Sequence, residues 1–236
     1  RLFYHLFLPV GYYVGDKVSN KEKISLFWEG LHLLAHLVVF RPLADKLELL
    51  KTKSVYTGGS GVSPSMIRLF RAIGIYLLQV YGSSDFGIGA THRVDDVKWE
   101  TCGPPPPSGY IALTEEGELL VKHDVKWCYG YYKKPELLRQ QTEGGWFHTG
   151  DFGYIREEDG HIVVIDRMKD LRRLRGGQRF SPQFAENRLR FSPFIKNALV
   201  IGGEDKNYVS IIINIDIGNV GRWAEAGRIA YTTFTD

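Results

Sequence analysis

The amino-acid sequence predicts an α/β domain that continues into an antiparallel β region and is followed by a small α+β domain. Between residues 53 and 81, a β-type run, a glycine loop, a helical segment and a second β-type run follow one another, the order of a parallel βαβ unit. Beyond about Val97, short strands punctuated by Pro and Gly indicate antiparallel pairing. A helix start near residue 181 and an apolar run over 209–217 indicate the α+β domain. We therefore predict three parts, 1–96, 97–167 and 168–236.

The composition is that of an ordinary globular protein. Of the 236 residues, 44% are hydrophobic and 24% are charged, and the net charge of +3 gives no reason to expect a nucleic acid polymer as partner. The longest apolar stretches have about ten residues, about half of what a membrane helix needs. The two cysteines, Cys102 and Cys128, lack metal-ligand spacing and indicate reduced thiols. We predict a cytoplasmic protein, with a peripheral membrane association left open and the oligomeric state unassigned.

Residues 26–50 carry apolar side chains at helical spacing, and Pro42 is expected to break this helix. His32 and His36 stand four residues apart on it, but the glutamate of a zinc-protease helix is missing between them. We interpret both histidines as polar positions on a packed helix rather than as metal ligands.

The βαβ unit contains a second helix with clear start and stop signals. Ser63 followed by Pro64 has the order of an N-cap and a first helical residue. Gly74 is placed to end the helix, and a strand is expected over residues 75–81.

Two loops follow the expected parallel strands, the glycine loop at 58–61 and the segment Tyr81–Asp85. Ligands of parallel sheets bind beyond the carboxyl ends of the strands. Glycine lets a backbone approach a flat ring or a phosphate, an aromatic ring can stack on a base, and a carboxylate is a hard ligand for Mg²⁺. Taken alone, each loop is more often a tight turn or a strand end with a capping carboxylate. Phe86, at a position that requires glycine, excludes the serine-hydrolase elbow.

A β-hairpin is expected farther along the chain, with strands over 152–156 and 161–166. The dipeptide Asp159-Gly160 is typical of a two-residue turn, and that turn pairs Glu158 with His161. The register of the whole hairpin follows from this closing pair.

The open end of this hairpin brings Asp151 beside Arg167, directly after the string Gly145–Gly150. A carboxylate that accepts hydrogen bonds from two vicinal hydroxyls, with an arginine supporting the same oxygens, is a chemically sensible ribose clamp. The alternative is an exposed ion pair that contributes at most ~1 kcal/mol.

A run of cations follows the hairpin and is opposed by Asp170 alone: Lys169, Arg172, Arg173, Arg175 and Arg179. Such a run is usually a solvated face, and the alternative is a surface that holds the phosphates of ATP or of a phosphorylated carrier.

Taken together, these strings resemble the adenylate-forming superfamily of acyl-CoA synthetases, luciferases and peptide-synthetase adenylation domains. Tyr81–Asp85 resembles its Tyr-Gly-x-Thr-Glu motif, and Gly145–Asp151 resembles its Gly-Trp-x-x-Thr-Gly-Asp motif. Asp166–Asp170, with Gly176-Gly177, resembles its hinge motif. Three further stretches are most similar to the long-chain fatty acyl-CoA synthetase branch of the superfamily. These are Ser181-Pro182, Ala185–Asn187 and Phe191–Ile195.

The resemblance implies a fold and a set of roles. The main domain would combine the βαβ part with a distorted antiparallel β-barrel over 97–167, followed by part of a mobile C-terminal domain. The fatty acid would attack the α-phosphate of ATP, and CoA would then displace AMP, with Mg²⁺ as cofactor. The implied nucleotide residues are Gly59 and Ser60 along adenine, Tyr81 stacked on it, Gly82 in the ATP/AMP site, Ser84 at phosphate, Asp85 at Mg²⁺, and Asp151 and Arg167 on ribose. Lys169 would be the hinge, and Gly176 and Gly177 would lie near the path of CoA.

Two departures from the family pattern affect these expectations. Asp85 is one methylene shorter than the family's glutamate and Ser84 replaces threonine, so Asp85 would reach the metal either directly or through a bridging water. The family's phosphate loop with its lysine and the lysine near its C-terminus have no counterpart in these residues. We therefore interpret the chain, which begins at Arg1, as a central and C-terminal fragment that is inactive alone.

Three functional hypotheses remain at this point. The first is a long-chain fatty acid:CoA ligase. The second is a relative that adenylates aryl or amino acids and loads them onto a carrier protein. The third is a non-catalytic nucleotide-binding remnant, which the shortened Asp85 favours.

Overall fold

The computed structural model describes residues 2–106, 110–122 and 128–230. They form two compact units. The first contains the residues up to Thr149 together with Gly153–Val164, and the second contains Gly150–Phe152 and the residues from Ile165 onward. The expected domain boundaries near 97 and 168 stay predictions. Within the described residues, no helix combines the length and apolarity that crossing a membrane requires.

The first unit begins with a helical layer. It comprises α1 (Leu2–Ser19), α2 (Leu26–Ala35), a π-helical turn (His36–Phe40) and α3 (Arg41–Lys46). The expectation that Pro42 breaks the helix is wrong. Pro42 lies in the first turn of α3, where a missing N–H is tolerated, and the wider π turn directly before it absorbs the irregularity.

The predicted βαβ unit is present as β1 (Ser54–Thr57), α4 (Pro64–Ala72) and β2 (Tyr76–Ser83). β1 and β2 pair in parallel, with Ser54 opposite Tyr76. The Ser63 hydroxyl accepts a hydrogen bond from the Met66 N–H, as expected of an N-cap.

The segment after β2 differs from the expected loop. β2 runs on through Tyr81 to Ser83 and turns back into β3 (Gly87–Thr91), which pairs with it antiparallel. The order of this sheet is β1-β2-β3. Gly82 permits the close pairing, because a Cβ there would lie 2.2 Å from the carbonyl oxygen of Gly87.

The predicted antiparallel region is a curled five-stranded half-barrel. Its strands are β4 (Ile111–Leu113), β5 (Glu118–Lys122), β6 (Thr142–Glu143), β7 (Trp146–Ile155) and β8 (Ile162–Arg167). They follow the order β4-β5-β7-β6, with β8 on β7, and α5 (Pro135–Gln140) precedes β6. One apolar core joins the two sheets; it includes Tyr81, Phe86, Leu119, Phe147 and Ile162. The predicted fold class is confirmed.

The turn between β7 and β8 corrects the expected hairpin register. Arg156 N donates to His161 O at 2.9 Å, and Gly160 N donates to Arg156 O at 2.8 Å. His161 therefore closes the hairpin with Arg156 and not with Glu158. The turn is four residues wide, and Gly160, with φ +71°, supplies the left-handed position that ends it.

The second unit follows β8 with a 3₁₀ turn (Met168–Asp170) and the short hairpin of β9 (Arg172–Arg173) and β10 (Arg179–Phe180). The Ser181 hydroxyl caps α6 (Pro182–Leu189). β11 (Ile195–Ile201) pairs antiparallel with β12 (Ser210–Ile215), and α7 (Ile217–Ala226) follows. All six residues of β12 are exposed, whereas Val200 on β11 is buried.

Candidate functional site

The glycine loop lies where parallel strand pairing places it, at the carboxyl end of β1 beside β2. Gly58 packs against Val80, which leaves only 3.1 Å for an added Cβ. Gly59 has φ +89° and no neighbour within 4 Å of a Cβ position, and Ser60 beside it is exposed. This backbone is therefore open to a flat ligand, and its place along adenine stays a prediction.

Tyr81 lies on β2 in the apolar core and is 8% exposed. Its ring centroid is 5.6 Å from that of Phe86, and a Cβ on Gly89 would lie 3.1 Å from the ring. The core and the bare backbone of Gly89 therefore hold the ring in place. The stacking of adenine on Tyr81 stays a prediction.

Ser84 and Asp85 form the turn between β2 and β3. The Asp85 N–H donates to the Ser83 hydroxyl at 3.0 Å, and Ser84 is exposed. These contacts fix the backbone of the turn and place two oxygen-bearing side chains side by side at its tip.

Tyr131 is a neighbour of Asp85 that sequence reasoning missed. Its hydroxyl oxygen lies 2.7 Å from Gln141 Oε1, and its burial, followed by the charge and hydrogen bond of Asp85, raises the pKa of Tyr131 to about 12. Tyr129 and Tyr132 beside it are 92% and 88% exposed. No local pattern separates the three tyrosines, so only the tertiary contact identifies Tyr131.

A magnesium ion fits the turn at Asp85 only when nucleotide phosphates supply further ligands. No group of three or more His, Cys, Asp or Glu side chains in the described part of the chain is arranged to hold a metal. Mg²⁺ commonly takes one or two carboxylates and completes its shell with phosphate oxygens and water. Asp85 is a suitable single carboxylate for such a shell.

The motif on β7 alternates between inward and outward side chains. Phe147, Thr149, Asp151 and Gly153 are buried in turn. The Thr149 hydroxyl donates to Leu119 O at 2.6 Å. Asp151 is thus a carboxylate on the row of β7 that carries core residues, a position that a solvated ion pair does not require.

Asp151 and Arg167 lie together in the second unit, as expected. Arg167 Nη1 is 3.1 Å from Asp151 Oδ1; the side chain of Asp151 is 11% exposed and that of Arg167 is 54% exposed. Gly150, with φ +70°, leaves room beside the guanidinium, because its missing Cβ would point to within 4.0 Å of Arg167 Nη1. The pair is formed although the hairpin register was predicted incorrectly, because the long arginine side chain tolerates the altered pairing.

Asp166, the first residue of the expected hinge motif, has a structural role that sequence reasoning missed. Its carboxylate accepts from the Arg167 N–H at 2.8 Å and from the Ser181 hydroxyl. The same hydroxyl accepts from Phe184 N at 2.8 Å, so Asp166 supports the start of α6. Lys169 is exposed in the 3₁₀ turn, and its role as a hinge stays a prediction.

Gly176 and Gly177 form the exposed turn between β9 and β10, where Gly177 has φ +82°. Arg173 and Arg179 stand directly opposite each other across this hairpin, a like-charge arrangement that destabilises an isolated strand pair. Arg175 donates to Asp205 O at 2.7 Å. The expected path of CoA past these glycines stays a prediction.

Known proteins similar to this chain include proteins named as CoA ligases. The long-chain-fatty-acid–CoA ligase FadD15 of Mycobacterium bovis is 30% identical over 193 residues, covering 81% of this chain and 32% of that protein. The 4-coumarate–CoA ligase-like 9 protein of Oryza sativa is 30% identical over 191 residues, covering 72% and 34%. The chain thus spans about a third of the length of these relatives. No family model matches it.

The fold has counterparts among solved structures. O-succinylbenzoate coenzyme A synthetase of Bacillus subtilis, in complex with ATP and a magnesium ion, gives a TM-score of 0.60 at 23% identity over 78% of this chain and 43% of that protein. At this identity the similarity shows a common fold.

Proposed function

The chain belongs to the adenylate-forming superfamily, and on that premise we propose that the complete protein activates a long-chain fatty acid with ATP and transfers the acyl group to CoA. The observation that carries the proposal is the Asp151–Arg167 pair. A carboxylate offers about four acceptor sites, so Asp151 can accept from the two vicinal hydroxyls of a ribose in addition to its protein partners, with the Arg167 guanidinium beside the same oxygens.

The proposed reaction has two steps. In the first, a carboxylate oxygen of the fatty acid bonds to the α-phosphorus of ATP while the bond to the β-phosphate oxygen breaks, which releases pyrophosphate. In the second, the thiol of CoA loses its proton and bonds to the acyl carbon, and AMP leaves with the electron pair of the broken bond. No side chain of the protein is acylated in either step.

The residues of this chain would bind and orient the substrates. Asp151 and Arg167 would hold the ribose, Tyr81 and the backbone at Gly59 would border adenine, and Ser84 would donate to phosphate. A magnesium ion at Asp85 would supply charge neutralisation at the phosphates, and Tyr131 would keep the Asp85 carboxylate in place. Lys169 would serve as the hinge between the two steps, with Gly176 and Gly177 beside the incoming thiol.

The fatty acid is the finer part of the proposal. FadD15 is named for long-chain fatty acids, and this supports an aliphatic substrate. The 4-coumarate–CoA ligase-like protein, at the same identity, supports an aryl acid instead. ATP–pyrophosphate exchange by the complete protein should distinguish them, with palmitate, 4-coumarate and a set of amino acids as substrates. We expect palmitate to stimulate exchange, and stimulation by 4-coumarate or an amino acid alone would replace the proposed substrate.

The ribose role has its own test. In the complete protein, Asp151→Ala should raise the KM for ATP well over tenfold, because the ribose hydroxyls lose their acceptor. Glu158→Ala is the matched control, since it removes an ion pair with Arg156 from the turn of the same hairpin and should leave this KM unchanged. An unchanged KM in Asp151→Ala would remove the clamp. ATP binding without exchange on any carboxylate would favour the non-catalytic alternative.

A further inference from the structure

Four polar side chains form a continuous hydrogen-bonded chain inside the first unit. His92 Nε2 is 3.0 Å from Thr101 Oγ1, Thr101 Oγ1 is 2.9 Å from His161 Nδ1, and His161 Nε2 is 3.1 Å from Asp96 Oδ2. His92, Thr101 and His161 are 2%, 1% and 0% exposed. They come from the end of β3, the following loop and the residue before β8, so the chain links the three-stranded sheet to the half-barrel.

The two ends of this chain determine where each proton lies. Gln79 N donates to His92 Nδ1 at 3.1 Å, so neutral His92 carries its proton on Nε2 and donates it to Thr101. At the other end the Asp96 carboxylate can only accept, so His161 donates from Nε2 and, in its neutral form, accepts at Nδ1. The Thr101 hydroxyl therefore accepts from His92. It has a single proton and two acceptors within reach, and it donates to His161 Nδ1 at 2.9 Å, which needs a donor, rather than to Lys98 O at 3.2 Å. Every hydrogen bond points the same way, from Gln79 to Asp96.

A protonated His92 does not fit this arrangement. Its second proton would lie on Nδ1 and face the N–H of Gln79, so that two donors would meet. Gln79 cannot turn away, because β2 pairs with β1 at this residue and Gln79 O accepts from His92 N at 3.0 Å. Burial also disfavours the charged ring, and together with the neighbouring His161 it lowers the pKa of His92 from 6.5 to about 4.

The other groups around His92 do not offset this effect. Asp96 and the Lys98 carbonyl raise the pKa of His92, whereas burial, His161 and Arg71 on α4 lower it by more. The Asp96 carboxylate is itself stabilised by the hydrogen bond from His161 and by the nearby charges of Lys98 and Lys21.

Backbone bonds bind the same segment to both sheets. Cys102 N donates to Ile162 O at 2.8 Å, and Ile162 N donates to Gly103 O at 2.9 Å. On the other side, Thr91 N donates to Pro104 O at 3.3 Å. The four hydrogen-bonded side chains therefore lie at the junction of the three-stranded sheet and the half-barrel, where breaking one hydrogen bond affects both sheets.

We propose that the chain His92–Thr101–His161–Asp96 is an acid-sensitive latch that holds the β2–β3 hairpin on the half-barrel while His92 is neutral and opens when His92 takes up a proton. Opening would loosen the hairpin that carries Tyr81 and Asp85. The latch rests on the geometry of the first unit and does not depend on the proposed function.

The test is the pH dependence of urea-induced unfolding between pH 7.5 and 4, with His92→Asn. Asparagine offers an acceptor oxygen near the position of Nδ1 for the Gln79 N–H but takes up no proton. In the unmodified protein the unfolded state binds a proton that the folded state excludes, so stability is full above pH 6.5 and falls as the pH drops towards 4. We expect His92→Asn to reduce proton uptake on unfolding in this window by about one proton. Thr149→Val, which removes a buried hydrogen bond but no titratable group, should leave the uptake as it was.

Equal proton uptake by His92→Asn and the unmodified protein would overturn the latch. Should the variant fail to fold, ¹⁵N NMR of the histidine rings in the unmodified protein decides. We expect His92 to show a proton on Nε2 and a bare Nδ1 down to about pH 5. A proton on Nδ1 at neutral pH, or a doubly protonated ring at about pH 6, would refute the proposal.

Discussion

The two ends of the β7–β8 hairpin show two uses of buried polar groups. At the turn end, His161 is 0% exposed and both ring nitrogens have protein partners. At the open end, Asp151 is buried but its partner Arg167 is 54% exposed. When both ring nitrogens of a histidine are hydrogen-bonded to protein groups, the side chain stabilises the fold and cannot bind a ligand. A carboxylate has several acceptor sites, so beside a solvated guanidinium it can still bind a ligand. Substitutions at the turn end should therefore act on stability, and substitutions at the open end should act on nucleotide affinity.

The largest effect on stability is expected for Gly103→Ala at the junction beside His161. Gly103 has φ +84°, and an added Cβ would lie 2.2 Å from the backbone of Thr91 and 2.4 Å from His92 N. Because the obstacle is backbone, we expect a loss of more than about 3 kcal/mol in urea-induced unfolding.

Gly59→Ala is the matched control for Gly103→Ala. Gly59 has φ +89° but nothing within 4 Å of its Cβ position, so only the backbone conformation is strained. The loss there should be about 1 kcal/mol. Equal losses at the two glycines would show that the junction is not closely packed and would weaken the contrast.

A smaller effect is expected for Thr101→Val, which removes the hydroxyl between the two histidines. The change leaves His92 Nε2 and His161 Nδ1 without a partner at a buried position, and we expect a loss of about 2–3 kcal/mol in thermal or urea unfolding. Thr149→Val, which removes the hydrogen bond to Leu119 O, should cost about 1 kcal/mol. A cost at Thr101 no greater than that at Thr149 would mean that the chain of hydrogen bonds adds nothing beyond one bond.

Local signals in the sequence accounted for much of the fold. Ser63 and Pro64 start α4 as expected, because an N-cap and a first-turn proline act within one helical turn. The hairpin register was predicted incorrectly, since Asp159-Gly160 is typical of a two-residue turn whereas Gly160 here ends a four-residue turn. Pro42 was misjudged because a π turn can accommodate a proline that a regular helix would not.

Tertiary contacts were beyond sequence reasoning. His92 directly follows β3 and His161 directly precedes β8, and nothing in either local pattern relates the two histidines until the sheets are joined. Asp151 and Arg167 were found because one hairpin connects them and because the motif around Asp151 is long. Tyr131 was missed because it lies in a turn before α5, whereas its partner Asp85 lies between β2 and β3, and no local pattern connects the two.

The smallest effect is expected for Tyr131→Phe. This variant tests whether the turn at Asp85 acts on ligand binding, like the open end of the hairpin, or on stability, like its turn end. Losing the hydroxyl removes a hydrogen bond from the Asp85 carboxylate and should leave it less well oriented, at a cost of about 1 kcal/mol. In the complete protein this corresponds to an increase of about fivefold in the Mg²⁺ concentration for half-maximal ATP–pyrophosphate exchange. Tyr132→Phe, at a side chain that is 88% exposed, should leave this concentration unchanged. A loss of stability in Tyr131→Phe without any change in the Mg²⁺ requirement would place Tyr131, and the turn it contacts, with the structural end instead.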